Sequence, residues 1–199
     1  FYGPNIKPLP KFNPLSENIK LKIVKKFQDN ISTDDIIPGG TKILSLRSNI
    51  PAISEYIFNR KSPELIKKLK DYKQKYSNLC IVAGENYGQG SSREHAAVVQ
   101  KFNGIEIVLA KSFAKIHKSN LVNFGILPLE FENKTDYDKL SEDDEIEITD
   151  LHKQIKSGVL ELKIPNKDIF VKAMVDITER EKEVILAGGR LNFVKEKFK

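Results

Sequence analysis

The feature that most constrains the fold is an alternation of short apolar runs with helix-like stretches in the middle of the chain. The apolar runs, each long enough for one buried strand, are residues 79–83, 105–110 and 126–131. Two stretches between them, residues 92–102 and 111–124, have helical patterns followed by Gly104 and Gly125. Strands that alternate with helices predict an α/β sheet with right-handed crossovers.

Further elements are predicted on both sides of this alternation. Residues 19–24 alternate apolar and polar side chains with a period of two, which is typical of a half-buried strand. Other β-like stretches are residues 145–149, 158–164 and 169–171. Helices are predicted over residues 63–76, with Ser62 as N-cap, and over residues 179–187, with Thr178 as N-cap. Residues 29–40 are rich in turn formers, and the polar, acidic residues 132–144 are expected to be a surface excursion.

The beginning of the chain has a different character from the rest. Four prolines exclude a regular helix or a central strand there, namely Pro4, Pro8, Pro10 and Pro14. We therefore predict an extended linker arm over residues 1–17, with disorder as the alternative, and one domain over residues 18–199. Because the first residue is Phe1 rather than Met, we expect it to be an internal residue of a longer protein or a trimmed start.

Composition limits the possible functions and locations. With 40% apolar and 30% charged residues, the chain has the composition of an ordinary globular domain. One cysteine, Cys80, cannot form an internal disulfide or hold a metal cluster alone, so a reducing, cytoplasmic location is expected. No apolar run approaches the roughly 20 residues of a membrane span. The net charge of +6 comes from lysines mixed with acids, a pattern that argues against nucleic acid as a partner.

The most informative segment is residues 84–95, GENYGQGSSREH, between a predicted strand and a predicted helix. Its three glycines allow a tight turn close to a ligand, but their spacing fits neither a Walker A loop nor a Rossmann fingerprint. Backbone N–H groups around Ser91–Arg93 are expected to bind an anion at a helix N-terminus, and Arg93 suits a carboxylate. These groups also favour a serine alkoxide that takes a proton from carbon. The competing interpretation is that the serines cap the helix and Arg93 is a surface residue.

Four sequence blocks together resemble the C-terminal swivelling domain of the aconitase family. The blocks are residues 29–38 (DNISTDDIIP), 84–97 (GENYGQGSSREHAA), 110–121 (AKSFAKIHKSNL) and 125–129 (GILPL). Their order and spacing match the family over most of residues 19–131. Two positions depart from it: Gln89 replaces the usual acidic residue, and Asp35 replaces the histidine common in aconitases. The second departure brings the chain nearer to the small subunits of isopropylmalate isomerases.

This resemblance implies a fold, an activity and a partner. The fold is a three-layer β/β/α swivelling domain of the aconitase and isopropylmalate isomerase small-subunit type. The activity is that of a hydro-lyase, which isomerises a hydroxy-tricarboxylate such as citrate through cis-aconitate in the tricarboxylic acid cycle. A [4Fe–4S] cluster acts as Lewis acid on the leaving hydroxyl. Its cysteine ligands lie outside this chain, in cluster-bearing domains of the same polypeptide or in a large subunit, so the chain is only part of the active enzyme.

Four residues match the family's substrate-contacting positions. Ser91 matches the catalytic serine that takes the proton from carbon. Ser92 and Arg93 match the neighbours that support this serine and bind a substrate carboxylate. Arg47, in the text SLRS, matches a second arginine that holds the distal carboxylate of the substrate.

Two further residues are assigned supporting roles, and none is assigned to a metal. Asp34 falls in the motif that shapes the rim of the active site, and His95 lies in the helix after the serines, where simple packing is the alternative. The histidines have no metal-ligand spacing. His117 is interpreted as structural, His152 as solvated and Cys80 as core.

Arg47 and the arm over residues 3–10 favour the C-terminal domain of an aconitate hydratase, because an arginine pairs with the third carboxylate of a tricarboxylate. The first alternative is the small subunit of an isopropylmalate or homoaconitate isomerase. An alternative of another class is a regulatory aconitase that binds RNA, which the net charge weakly permits.

Overall fold

Seven β-strands close into a barrel in the computed structural model, which describes residue 3 and residues 5–197. Phe1, Tyr2, Pro4, Phe198 and Lys199 lie outside the described residues, and with them part of the predicted arm. The strands are Ile19–Lys26 (β1), Leu79–Ala83 (β2), Ile105–Ala110 (β3), Leu127–Phe131 (β4), Glu145–Ile148 (β5), Val159–Ile164 (β6) and Ile169–Met174 (β7).

The barrel joins a parallel half to an antiparallel half. Strands β1 to β4 are neighbours in sequence order and run parallel, so their carboxyl ends meet at one end of the barrel. Strands β7, β6 and β5 follow in antiparallel pairs, and β5 pairs with β1 to close the barrel. The described residues contain no helix long and apolar enough to cross a membrane.

Helices pack against the strands of the barrel and against one another. Those of the described residues are Thr33–Ile36 (α1), Thr41–Leu44 (α2), Ile50–Ser54 (α3), Leu65–Lys75 (α4), Glu94–Phe102 (α5), Lys115–Asn123 (α6), Leu151–Ser157 (α7), Glu179–Leu186 (α8) and Arg190–Lys197 (α9). Two 3-10 turns cover Lys134–Lys139 and Pro165–Lys167.

The core has two parts because side chains of a strand point alternately to its two faces. In β3, Ile107 and Leu109 point into the barrel, whereas Val108 and Ala110 point outward into a second cluster shared with helices such as α4 and α5. Both faces of β2 and β3 are therefore buried, which explains why these two strands read as continuous apolar runs, whereas β1 is half-buried and alternates. The predicted α/β class, with two β layers and a helical layer, is confirmed.

Several local predictions are confirmed. The strands at residues 19–24, 79–83 and 105–110 are present, and Thr178 caps α8 in a capping box with Glu181. Residues 5–17 contain no regular helix or strand, as expected of an arm, and Leu15 is buried against the barrel core. The proposed boundary between arm and domain at residue 17 stays a prediction.

Other local predictions are wrong. The helices expected from residues 92 and 111 begin at Glu94 and Lys115, because the residues before them are extended and bonded to neighbouring loops. The helix expected from residue 63 begins at Leu65, and the Ser62 hydroxyl donates to Glu64 instead of capping it. Helices α1, α2, α3, α7 and α9 were not expected.

The interpretations of His152 and of the acidic segment also need correction. His152 is not simply solvated, because its Nε2 donates to Leu15 O at 2.8 Å and its Nδ1 lies 2.7 Å from a Glu17 carboxylate oxygen. The acidic segment is not uniformly a surface excursion either. Asp144 is buried and receives a 2.8 Å hydrogen bond from Asn166, which anchors the segment to the turn before β7.

Candidate active site

The glycine-rich loop between β2 and α5 lies at the carboxyl end of the parallel strands, where open α/β sheets commonly bind ligands. Two neighbouring segments hold it. On one side, Ile31 O accepts hydrogen bonds from Gly88 N (2.7 Å) and Gln89 N (3.2 Å). On the other side, Tyr87 N donates to Ser112 O (3.0 Å), and Ala114 N donates to Tyr87 O (2.9 Å). The loop is thus fixed by backbone bonds on both flanks.

Gly88 allows the loop to approach α6. Its φ of +83° lies in the left-handed region that favours glycine. A Cβ atom at this position would lie 2.2 Å from Cδ2 of His117, which is closer than any real contact. The packing of the His117 ring against the loop therefore depends on glycine at position 88.

The departure of Gln89 from the family pattern has a local explanation. Asn86 Nδ2 donates to Gln89 Oε1 at 2.8 Å and to Asn30 Oδ1 at 3.2 Å. Gln89 Nε2 in turn donates to Asn30 O at 3.1 Å. A neutral network of three amides therefore takes the place of an acidic side chain beside the loop, so the loop carries no negative charge at position 89.

Arg93 is held in place through one nitrogen of its guanidinium. Its Nη1 donates to Asp34 Oδ1 at 2.6 Å and to Ile37 O at 3.2 Å, and Gly39 N also donates to Asp34 Oδ1 at 3.0 Å. Burial raises the pKa of Asp34, but the bonds from Arg93 and Gly39 outweigh this effect, so the pKa lies below its ordinary value. The structure therefore brings together two of the predicted residues, Arg93 and Asp34.

A second pair of predicted residues meets beside the first. His95 Nε2 donates to Arg47 O at 2.9 Å, which anchors the turn that carries Arg47 to the start of α5. The Arg47 residue is itself exposed. This contact gives His95 a structural role at the site, and a direct role in chemistry stays a prediction.

Ser91 and Ser92 are exposed, and they do not cap the helix. The N-cap residue of α5 is Arg93, and no side chain caps it, so the interpretation of the serines as capping residues is wrong. Thr33 Oγ1 donates to Ser91 O at 3.0 Å and fixes the backbone there. Neither serine hydroxyl has a hydrogen-bond partner within the described residues. Both hydroxyls are therefore available to a substrate.

Three residues of α6 that carry no predicted role in the chemistry also belong to the site. They are Lys115, His117 and Asn120, which line a cavity of about 240 Å³ together with Ser91, Ser92 and Arg93. The block of residues 110–121 marks this helix as part of the family pattern, but nothing in the sequence indicates that it reaches the serines.

Buried His117 is connected to the loop through Gln100. The Tyr87 hydroxyl donates to Gln100 Oε1 at 2.8 Å, Gln100 Nε2 donates to Ala96 O at 2.7 Å, and the same Nε2 lies 3.4 Å from His117 Nε2. Burial lowers the pKa of His117 from its ordinary 6.5 to about 4, so the ring is neutral near pH 7. The structural interpretation of His117 is consistent with this packing.

The pKa of His117 predicts a pH-dependent stability. As the pH falls below 6.5, the unfolded chain binds a proton at this ring, but the folded chain does not until about pH 4. We expect the wild type to lose about 2 kcal/mol of unfolding free energy between pH 7 and pH 5 through this group. The matched measurement is urea unfolding of the wild type and of His117→Gln at both pH values. An equal loss in the two proteins would contradict the prediction.

The described residues offer no place for an iron–sulfur cluster. Among residue 3 and residues 5–197, no group of three or more histidine, cysteine or acidic side chains could hold a metal ion. Cys80 lies inside the barrel, and burial raises the pKa of its thiol to about 12, so it does not offer a thiolate. The described residues therefore do not fit a cluster, and a cluster held by another domain or subunit stays a prediction.

Comparison with known proteins identifies the family. Residues 17–134 match the family model described as the aconitase C-terminal domain. The chain belongs to the aconitase C-terminal domain family. This match covers the glycine-rich loop, α5 and α6, so the resemblance drawn from the four sequence blocks is confirmed.

Relatives of this aconitase-type domain include both long and short proteins. A probable mitochondrial aconitate hydratase from Dictyostelium discoideum is 42% identical over 63% of this chain, which spans only 17% of that protein's length. The 3-isopropylmalate dehydratase small subunit 2 from Archaeoglobus fulgidus is 36% identical over 85% of this chain and 91% of its own length. A crystal structure of 3-isopropylmalate dehydratase from Methanocaldococcus jannaschii has a TM-score of 0.74 and 33% identity, covering 90% of this chain and 95% of that one. These matches favour the small-subunit alternative over the aconitate hydratase interpretation.

Proposed function

We propose that the chain is the serine-bearing component of a hydro-lyase that isomerises a hydroxy acid with two or more carboxylates, in the manner of a 3-isopropylmalate dehydratase small subunit. The observation that carries this proposal is the match to such small subunits over most of the chain, with 36% identity over 85% of it for the Archaeoglobus relative. The partner is then a cluster-bearing large subunit or domain, and the location is cytoplasmic.

In this proposal Ser91 moves the proton. Its exposed hydroxyl, in alkoxide form, takes a proton from the substrate carbon next to a carboxylate and returns it to the neighbouring carbon during rehydration. The Arg93 guanidinium and the uncapped N–H groups at the start of α5 favour the charged serine. The cluster, when bound in the partner, supplies Lewis-acid chemistry at the leaving hydroxyl.

Arg93 is also suited to orient the substrate. Asp34 and Ile37 both contact its Nη1, and the remaining N–H groups of the guanidinium stay available for a carboxylate. Because Nη1 is already fixed, little side-chain freedom is lost when a carboxylate binds. Asp34 is thus a positioning residue for Arg93 in this proposal.

Aconitate hydratase is the second candidate, and Arg47 is the observation that favours it. This arginine is exposed, and its backbone is anchored by His95 at the edge of the site, where it could meet a third carboxylate. Isopropylmalate presents an apolar branch instead of that carboxylate. No observation in the described part of the chain favours the RNA-binding alternative.

The test uses the complete enzyme, with this chain joined to its cluster-bearing partner and the cluster reconstituted anaerobically. Hydration of isopropylmaleate and of cis-aconitate would be followed side by side, and the chain alone would serve as a control without turnover. We expect kcat/KM to favour isopropylmaleate by at least about tenfold, because in this proposal the third carboxylate of cis-aconitate loses water without pairing with Arg47, which costs about 1.4 kcal/mol or more. A preference for cis-aconitate would select the second candidate, and hydration of neither would contradict the hydro-lyase proposal.

A further inference from the structure

The cavity beneath the serines has an unusual lining. It lies between the start of α5 and the start of α6, and its volume is about 240 Å³. The charged side chains that line it are those of Arg93 and Lys115, and the lining of described residues includes no aspartate or glutamate. A cavity with two cations and no acid is complementary to an anion.

Two helices direct their N-termini at this cavity. The N-cap residues are Arg93 for α5 and Ala114 for α6, and no side chain caps either nine-residue helix. The first N–H groups of each helix therefore lack the capping oxygen that usually accepts their hydrogen bonds. Lys115 occupies the first position of α6, where its charge adds to the positive end of the helix dipole instead of offsetting it.

Two buried side chains in the cavity wall have donors without a partner. His117 is 2% exposed and Asn120 is 7% exposed, and within the described residues neither His117 Nδ1 nor Asn120 Nδ2 has a hydrogen-bond partner. The His117 tautomer follows from its neighbour. Gln100 Nε2 must donate because it bonds to the carbonyl of Ala96, so His117 Nε2, which faces it, is an acceptor and Nδ1 carries the hydrogen.

We propose that His117, Asn120 and the N-terminus of α6 form a carboxylate subsite that opens beside Ser92 and Arg93. Its ligand is one carboxylate group of the hydroxy acid, which supplies the acceptor oxygens that both donors lack. The inference rests on the proposed function for the identity of the ligand and assigns α6 a part in binding it. A buried donor that stays unpaired destabilises the folded chain, and a bound carboxylate would remove that cost.

Water would satisfy the same donors, but the charges of the lining favour a carboxylate. The cavity presents two cations, two orphan donors and two uncapped helix ends, and Asp34 offsets only the charge of Arg93. A carboxylate interacts more strongly with this remaining positive charge than a neutral water molecule does. The adjoining loop carries the neutral amide of Gln89 where the family usually has an acidic residue. No negative charge at position 89 therefore offsets the cations of the cavity lining. The subsite is therefore built for negative charge.

The test is titration of the full 199-residue chain with malonate, a dicarboxylate probe, followed by NMR of the side-chain nitrogens. We expect saturable shifts of His117 Nδ1 and of the Asn120 side-chain amide. Asn120→Asp replaces a donor by a charge of the ligand's own sign, so the malonate Kd should rise at least about tenfold. Asn123→Asp adds the same charge at the other end of α6, outside the cavity lining, and should leave the Kd unchanged.

Lys115→Gln is a second test in case Asn120→Asp fails to fold, because Lys115 is exposed and its replacement should leave the fold intact. It should raise the malonate Kd about threefold or more by removing one cation of the lining. Unmoved His117 and Asn120 signals, or an unchanged Kd in the folded Asn120→Asp variant, would overturn the subsite. Neither measurement needs a cluster or turnover. If malonate binds but the complete enzyme hydrates no substrate, only the proposed function is contradicted. If the enzyme hydrates a substrate but malonate moves no His117 or Asn120 signal, only the subsite is contradicted.

Discussion

Ser91→Ala in the complete enzyme is expected to lower kcat by at least about a thousandfold while KM changes only a few-fold. Removal of a positioned proton carrier typically costs 10²–10⁴-fold in rate. The loss should fall on kcat because, in the proposed function, Arg93 and its neighbours bind the carboxylates of the substrate and this hydroxyl does not. The measurement is steady-state hydration of the preferred alkene, with the cluster content of each sample checked by its iron and its absorbance.

The matched control for this variant is Ser77→Ala. Ser77 is also exposed, but it precedes β2 and lies at the opposite end of that strand from the loop. It should retain normal kcat, so loss of activity in both variants would indicate damage to the fold. Near-normal turnover by Ser91→Ala would mean that another group, with Ser92 as the first candidate, carries the proton.

Gly88→Ala is expected to lower the free energy of unfolding of the chain by about 3 kcal/mol. Two costs add at this position. A side chain at φ of +83° is strained, which costs about 1 kcal/mol or more. The new Cβ also lies 2.2 Å from the buried His117 ring, and overpacking of a closed core costs about 1–3 kcal/mol. Urea unfolding of the variant and the wild type measures the sum.

Two other glycines separate these costs. Gly90 has a φ of +101°, but the nearest atom to an added Cβ is Thr33 Oγ1 at 3.6 Å, so Gly90→Ala carries the strain without the clash. Gly40 has extended backbone and open space around the added atom, so Gly40→Ala should be close to neutral. The expected order of destabilisation is Gly88, then Gly90, then Gly40. Equal losses at Gly88 and Gly90 would show that the contact with His117 is unimportant.

The parallel strands could be predicted from sequence because burial on both faces leaves a direct local signal. Residues 79–83 are buried at every position and are apolar at every position. The N-cap of α8 could also be predicted from sequence, because Thr178 and Glu181 bond to each other's backbone within one turn. The composition of the glycine-rich loop, together with its place after a strand, was sufficient to select Ser91, Ser92 and Arg93 as candidates.

The closure of the barrel and the full extent of the site could not be predicted in this way. Closure depends on pairs such as Ile19 with Ile148, which are far apart in the chain and leave no local pattern. The same applies to the meeting of His117 with Gly88 and of His95 with Arg47. The late start of α5 also has a tertiary cause, because the loop before it is held by neighbouring segments instead of joining the helix.

The closed sheet limits the ways in which a partner can bind such a domain. Each of the seven described strands has a paired neighbour on both sides, so the described barrel has no free edge strand. Free edge strands invite strand addition, swapping and fibrous aggregation. A partner would therefore contact the domain through side chains and loops. Contacts of that type can slide and re-form, which suits the swivelling motion that the resemblance to the aconitase family implies.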